Sequence, residues 1–225
     1  MKNEFKRALR DTIPVLSGYI VLGMGFGIIM QSNGYGVWWT VAMSALIYAG
    51  SMQYLAVNLL TGGASLISAA IATLMVNARH IFYGISMVER YKGMGKRKPY
   101  LIFSLTDETY SLVCNGEKSK EYYLLVSLFN HGYWIAGSAI GALLGQIIPF
   151  STEGVDFALT ALFVTVFVEQ WKSTHDHIPA IIGVLSSVIC LALFGVGDFL
   201  IPAMILITVS LSVLKFARGE ADTNA

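Results

Sequence analysis

Arg79 is the residue of this sequence whose chemistry is hardest to explain as packing. It ends an uncharged run of 67 residues, 12–78, and lies inside a strongly apolar stretch. A charged side chain at the centre of a membrane helix costs at least about 2.5 kcal/mol, so it usually has a function. Arginine binds carboxylates through two parallel hydrogen bonds, which makes Arg79 a candidate for binding an anionic group, such as an amino acid carboxylate. A structural ion pair with a downstream carboxylate, Asp107, Glu108 or Glu169, is the alternative.

Two polar residues flank Arg79. Asn77 and His80 are three residues apart and share one face of a helix, while Arg79 shares a face with Tyr83. Asn77 can add hydrogen bonds beside Arg79, and His80 can take up a proton near neutral pH. The sequence therefore predicts a polar site within an apolar helix.

Asp107 and Glu108 form a second cluster, in the weakly apolar segment 100–115. Adjacent residues point to different faces of a helix, so one of these carboxylates would face an aqueous cavity if the segment enters the membrane without crossing it. Burial favours the protonated form of a carboxyl group, so the pair can hold an ammonium group or a coupling proton. A solvated amphipathic helix at the cytoplasmic surface is the alternative.

The composition is typical of a membrane protein. Hydrophobic residues make up 55% of the 225 residues and charged residues 13%, against about 25% charged residues in soluble domains. A spanning helix needs about 20 apolar residues, and the uncharged run alone holds about three such lengths. These values exclude a soluble enzyme, a disordered chain and a secreted disulfide scaffold, and they leave no basic face for nucleic acid.

The sequence lacks the motifs of enzymatic or metal chemistry. It has no phosphate-binding G-x-x-x-x-G-K-[ST] loop, no G-x-S-x-G and no H-E-x-x-H. His175 and His177 are two residues apart, face different sides of a helix and have no evident third ligand. We therefore expect neither an enzyme nor a metal or cofactor site.

Hydropathy predicts an all-α, polytopic integral membrane protein with about seven transmembrane helices, in a range of about six to eight. Residues 1–225 are expected to form a single transporter domain. The segment 100–115 is expected to be re-entrant or not to cross. The predicted helices are about 13–31, 37–60, 64–88, 122–148, 155–171, 178–196 and 199–215.

Basic residues indicate the orientation. The loop 90–98 carries five Lys and Arg and is predicted to be cytoplasmic, whereas the loop 150–156 carries none and is predicted to lie outside. The N-terminus is also basic, but three full spans before residue 89 would place it on the side opposite to the 90–98 loop. Either one early segment is re-entrant, or the N-terminus departs from the rule.

Glycine spacing suggests an internal repeat. Gly23 and Gly27 recur as Gly137 and Gly141, each 114 residues later. Inverted repeats are common in secondary transporters, which bind substrate at the repeat interface. Chance spacing in closely packed, glycine-rich helices is the alternative. The two copies would be inverted three-helix units at 13–88 and 127–196.

Three strings occur in order along the chain: YAGSMQ at 48–53, NARHIFYG at 77–84 and TDE at 106–108. Together they resemble the AzlC family, the large subunit of branched-chain amino acid exporters. The resemblance covers nearly the whole chain, although after about residue 120 it rests mainly on hydropathy and glycine placement.

The resemblance implies a secondary transporter in the cytoplasmic membrane of a prokaryote, which exports leucine, isoleucine and valine. It also implies coupling to the proton gradient and a small AzlD-type membrane partner of about four helices. We expect transport by alternating access; a passive channel and a membrane scaffold or sensor subunit for another small solute are the alternatives. Our predicted substrate-binding residues are Arg79, Asn77, Tyr48 and Gln53, and the predicted coupling residues are Asp107, Glu108 and His80.

Overall fold

The computed structural model describes residues 2–114, 118–147 and 176–223, and also positions 164, 167, 168, 171, 172 and 174. All regular secondary structure in these residues is helical. The chain forms two compact units, Met1–Leu162 and Phe163–Ala225. Most of the predicted helix 155–171 lies outside the described residues, as do Glu169 and His175.

The described part of the first unit holds seven α-helices and one short 3₁₀ turn at Gly95–Arg97. The first helix begins well before the predicted residue 13, so the basic N-terminal segment is helical. The predicted helices 64–88 and 122–148 are confirmed with small shifts of their ends. The helices are α1 (Lys2–Ser32), α2 (Val37–Leu46), α3 (Gly50–Thr61), α4 (Leu66–Met87), α5 (Lys98–Phe103), α6 (Asp107–Val113) and α7 (Lys120–Ile147).

Helices α1 and α7 pack along most of their length and run parallel. Near their N-terminal ends the rings of Phe5 and Phe129 lie 5.3 Å apart. Near their C-terminal ends a Cβ added to Gly145 would lie 3.1 Å from Gln31 Cβ. Because the contacting residue numbers rise together, these helices do not show the inversion that the sequence predicted for the repeat.

Glycines allow this close packing. A Cβ added to Gly23 would lie 2.9 Å from the Ser138 nitrogen, and one added to Gly141 would overlap the Met24 carbonyl oxygen. Membrane helices associate through such backbone contact, because lipid supplies no hydrophobic force between them. The α1–α7 pair is therefore the closely packed frame of the unit.

The prediction of one helix over 37–60 is wrong, because the chain breaks between α2 and α3. Tyr48, at the break, has φ of 45°, in the left-handed region that interrupts a right-handed helix. Ser44 Oγ lies 2.8 Å from Ser138 Oγ, and the Tyr48 ring lies 4.3 Å from the His131 ring. Since residue numbers rise in α2 as they fall in α7, α2 runs antiparallel to α7.

Helix α3 turns back towards the start of α2. Its first residue, Gly50, lies against Trp134, whose ring is 5.4 Å from that of Tyr19. One turn later the Tyr54 hydroxyl donates a 2.6 Å hydrogen bond to the Leu22 carbonyl. Residue numbers therefore rise together in α3 and α1, so α2 and α3 form a hairpin rather than one span.

Helices α5 and α6 form a second hairpin, within the segment predicted not to cross. Arg79 pairs with Asp107 at 2.7 Å, and one turn later the rings of Tyr83 and Tyr110 stack at 4.4 Å. Helix α6 thus runs parallel to α4. With six and seven residues, α5 and α6 extend about 9–11 Å each, against a bilayer core of about 30 Å.

The basic N-terminus and the basic 90–98 loop lie at the same end of the first unit. Ala8, Met87, Met94 and Tyr122 belong to one buried cluster, which joins the start of α1, the end of α4, the loop and the start of α7. We call this the basic end. The α2–α3 hairpin explains this arrangement, because it returns to the end where it began. Between the N-terminus and the loop, α1 and α4 then run from one end of the unit to the other and back.

Two described helices are long and apolar enough to cross a membrane, over Asn3–Ser32 and Ile178–Gly195. The two halves of α4, Leu66–Leu74 and Arg79–Met87, are long and apolar enough only when taken together, and they are bent by 50°. The predicted count of about seven transmembrane helices is not confirmed by the described residues.

The second unit contains α8 (Ile178–Asp198) and α9 (Leu200–Thr223). Gly195, at φ of 75°, kinks the end of α8 in the left-handed region that suits glycine. Arg218 of α9 pairs with Asp176, which precedes α8, so the two helices run antiparallel. The guanidinium of Arg218 lowers the pKa of the Asp176 carboxyl.

Candidate functional site

Two breaks between helices and one bend within a helix meet inside the first unit. They are the α2–α3 break at 47–49, the α4 bend at 75–78 and the α5–α6 break at 104–106. A cavity of about 260 Å³ lies where they meet. Broken helices expose backbone groups that can bind a ligand, as in many transporters. The cavity is lined by Ile47, Tyr48, Ala49, Asn77, His80, Gly84, Ile102, Phe103 and Leu105.

Arg79 joins the two hairpins beside this cavity. Its Nη1 lies 2.7 Å from Asp107 Oδ2, and its Nη2 donates a 3.2 Å hydrogen bond to Ser51 Oγ. The side chains of Arg79 and Asp107 are 33% and 20% exposed. The structural ion pair weighed from the sequence is therefore formed, and its partner is Asp107.

This ion pair leaves hydrogen-bonding capacity unused. Arg79 Nε and Asp107 Oδ1 are buried and have no hydrogen-bond partner among the described residues. A guanidinium has five donors and a carboxylate about four acceptor positions. The pair can therefore accept a further charged ligand that brings both a carboxylate and an ammonium group.

The ends of two short helices add to the local field. Helix α3 begins beside the cavity, and its N-cap residue Ala49 gives it no side-chain cap. The free amides of such an N-terminus favour an anion. Asp107 is the first residue of α6, where the helix dipole favours a carboxylate. Thr106 Oγ1 caps α6 by accepting from the Thr109 amide at 3.3 Å.

The cavity wall combines a few polar groups with a larger apolar surface. Asn77 and His80 lie on one face of α4, as their spacing predicted, and both line the cavity. Tyr48 is buried and lines the cavity, while its hydroxyl is directed towards the hydroxyls of Tyr19, Thr106 and Thr109. The opposite wall is apolar, through Ile102 and Phe103. Such a lining suits a small molecule with a polar head and a compact apolar side chain.

Gln53 does not reach the cavity. Its side chain is 0% exposed and uses both amide atoms, accepting from Trp134 Nε1 at 2.9 Å and donating to Ser44 Oγ at 3.2 Å. Ser44 in turn bonds Ser138 at 2.8 Å. The structure therefore places Gln53 in the network that fixes the α2–α3 hairpin on α7, apart from the other predicted substrate residues.

Glu108 points away from Asp107. Its Oε2 accepts a 2.6 Å hydrogen bond from the Tyr19 hydroxyl of α1. Like Arg79 and Asp107, it lies outside the set of residues that line the cavity. The two adjacent carboxylates thus face different elements, as expected for neighbours in a helix.

Several residues of the site were not predicted from the sequence. Ser51, which binds Arg79, lies in the YAGSMQ string but has no charge or spacing that marks it. Ile102 and Phe103 read as ordinary apolar residues. Tyr19 contacts Glu108 across 89 residues of sequence, a distance that local patterns do not encode.

The sequence is similar to one protein family and to several membrane proteins. The AzlC protein family matches residues 14–148. The branched-chain amino acid transport protein AzlC of Bacillus subtilis is 45% identical, over 98% of this chain and 89% of its own. A membrane protein of Helicobacter pylori is 41% identical (95% and 97% covered), and inner membrane protein YgaZ of Escherichia coli is 27% identical (97% and 94%). No solved structure matches.

Proposed function

Since the chain belongs to the AzlC family of transport proteins, we propose that it exports leucine, isoleucine and valine across the inner membrane of a prokaryote. It works by alternating access together with a small AzlD-type subunit of about four helices. The names of the Bacillus and Escherichia relatives support the substrate class and the inner membrane. The direction and the partner rest on the resemblance of the sequence to the exporter family.

The Arg79–Asp107 pair beside the cavity carries the proposal. A branched-chain amino acid has a carboxylate, an ammonium group and a compact apolar side chain. Its carboxylate binds Arg79 and the N-terminus of α3, with Asn77 beside them. Its ammonium group binds Asp107, and its side chain packs against the apolar wall at Ile102 and Phe103. The Arg79–Asp107 ion pair is thereby replaced by two ion pairs with the substrate, one at each residue. Opening the Arg79–Asp107 contact therefore leaves no charge unpaired.

The position of the pair supports alternating access. Arg79 follows the bend of α4, Ser51 belongs to the α2–α3 hairpin and Asp107 to the α5–α6 hairpin. Substrate that replaces the Arg79–Asp107 contact changes the link between these hairpins. The parallel α1–α7 pair, held by backbone contact, stays fixed while the hairpins move.

Asp107→Asn tests the ammonium site. Loss of one charge-assisted interaction is worth about 1.5–3 kcal/mol, so leucine affinity should fall about 10- to 100-fold. The oxo acid of leucine, which lacks the ammonium group, should lose almost nothing. Binding of both ligands to the purified complex, measured by calorimetry, gives the comparison. The exposed Glu89→Gln variant is the control, and equal losses for leucine and its oxo acid would argue against this role.

Phe103→Ala tests the apolar wall. The truncation widens the cavity, so larger side chains should fit better while valine loses contacts. We expect the ratio of phenylalanine to valine transport to rise by about tenfold, since each methylene in an apolar pocket is worth about 1–3 kcal/mol. Competition against labelled leucine in vesicles measures the ratio. Leu128→Ala, at an exposed position of α7 outside the cavity, should leave it unchanged.

A further inference from the structure

A chain of buried polar groups leads away from Glu108 on the side opposite to the ion pair. The Tyr19 hydroxyl lies 2.6 Å from Glu108 Oε2 and 2.7 Å from Thr106 Oγ1. Thr106 Oγ1 lies 3.1 Å from Thr109 Oγ1, which accepts a 3.0 Å hydrogen bond from Asn130 Nδ2. These hydrogen bonds form a continuous polar chain that joins α1, α6 and α7.

The number of protons in this chain makes it sensitive to the state of Glu108. Each hydroxyl carries one proton, but the Tyr19 oxygen has two close neighbours. When Glu108 is ionised, Tyr19 donates to it, and Thr106 must donate to Tyr19. When Glu108 is protonated, Glu108 donates to Tyr19, Tyr19 donates to Thr106, and Thr106 donates to Thr109. One proton on Glu108 therefore reverses the hydroxyl chain.

The far end of the chain lies in the half of α7 that leads to the basic end. Asn130 Oδ1 and Ser127 Oγ are fully buried and have no hydrogen-bond partner among the described residues. They are three residues apart and share one face of α7. Tyr122 and Val126, of the buried cluster at the basic end, precede them. The polar chain therefore points from Glu108 towards the end predicted to be cytoplasmic.

Other titratable groups face Glu108 from each packed element. Tyr19 contacts it from α1, Tyr48 faces it from the α2–α3 break, and Tyr83 faces it from α4. Its neighbour Asp107 is held in the ion pair with Arg79. On the α7 side the group of the polar chain is the amide of Asn130, which does not titrate. Glu108 is thus the carboxyl that can change protonation without breaking the Arg79–Asp107 pair.

We propose that Glu108 carries the coupling proton of transport, and that the hydroxyls of Tyr19, Thr106 and Thr109 relay this proton between Glu108 and the side of α7 that leads to the basic end, while Asn130 positions Thr109 by donating to its oxygen. The inference rests on the proposed transport function and assigns separate roles to two adjacent carboxylates. Asp107 binds substrate, whereas Glu108 binds a proton that enters from water, adds to the carboxylate and later returns to water. No other bond is made or broken.

The test compares two modes of transport in vesicles that hold the chain and its small partner. Leucine counterflow at equal pH needs no net proton movement, whereas accumulation driven by a pH gradient does. Glu108→Gln keeps the shape of a protonated carboxyl, so we expect counterflow within about twofold of wild type and loss of gradient-driven accumulation. Tyr19→Phe removes one hydroxyl and should slow gradient-driven accumulation more than counterflow. Glu89→Gln should change neither.

Gradient-driven accumulation by Glu108→Gln at the wild-type level would overturn the proposal. If this variant shows no counterflow, calorimetry of leucine binding in buffers of different ionisation enthalpy decides. A release or uptake of about one proton per leucine in wild type, absent in Glu108→Gln, supports the assignment. An unchanged proton number overturns it. Absence of leucine counterflow in the wild type would instead remove the proposed function.

Discussion

Arg79→Gln should abolish leucine transport while the protein remains folded in the membrane. Glutamine keeps a polar side chain of similar shape but cannot pair with the substrate carboxylate or with Asp107. Truncating one partner of a desolvated charge pair costs at least about 2 kcal/mol, so we expect leucine transport to fall at least about 30-fold. Efflux of leucine from cells and leucine binding by the purified complex both measure this loss.

A matched control separates the site from general charge effects. Arg97 is also an arginine of the first unit, but its pair with Glu121 is loose, at 3.7 Å, and about half exposed. Arg97→Gln should therefore transport leucine like the wild type, because exposed pairs contribute little. Arg79→Lys should restore only part of the activity, since lysine lacks the planar fork. Normal export by Arg79→Gln would remove the carboxylate role.

Gly141→Ala should destabilise the protein more than the same change at any other glycine of α7. The added Cβ would overlap the Met24 carbonyl oxygen, so the α1 and α7 backbones must move apart. Overpacking costs about 1–3 kcal/mol, and here the obstacle is backbone rather than a flexible side chain. We expect a clearly lower midpoint of thermal unfolding in detergent and less monodisperse protein.

Gly132→Ala is the matched control for this frame. It lies in the same helix, and a Cβ there meets nothing within 4 Å. Alanine favours helix over glycine, so this variant should be as stable as the wild type or slightly more stable. If both substitutions had the same effect on thermal unfolding, α1–α7 contact at Gly141 could not be what holds the frame together.

The residues of the candidate site, whose roles stay a prediction, can be singled out from the sequence, but their arrangement cannot. Arg79, Asn77 and His80 were identifiable because a charge within an apolar helix is rare. Asp107 and Glu108 were identifiable for the same reason, and the short segment around them was predicted not to cross. Which carboxylate pairs with Arg79 depends on the approach of α6 to α4, and a single sequence contains no signal for such a contact.

The predicted helix over 37–60 and the predicted inversion of the repeat differ from the structure for the same reason. The helix predicted over 37–60 is broken at Tyr48, although no proline or glycine at that position marks a break. Tertiary packing of Tyr48 against His131 accompanies the unusual backbone. The resulting hairpin changes the number of crossings, which determines whether α1 and α7 are parallel or inverted. The topology predicted for the repeat thus depended on one local conformation, at Tyr48, that hydropathy does not reveal.

Leucine counterflow tests the central claim most directly. Vesicles containing the purified chain and a small AzlD-type subunit are loaded with unlabelled leucine and diluted into a trace of labelled leucine. The account predicts transient, saturable accumulation of label in loaded vesicles, none in empty ones, and none with Arg79→Gln. Label that enters loaded and empty vesicles equally, without saturation, would indicate a passive channel and contradict a transporter built around the Arg79–Asp107 pair.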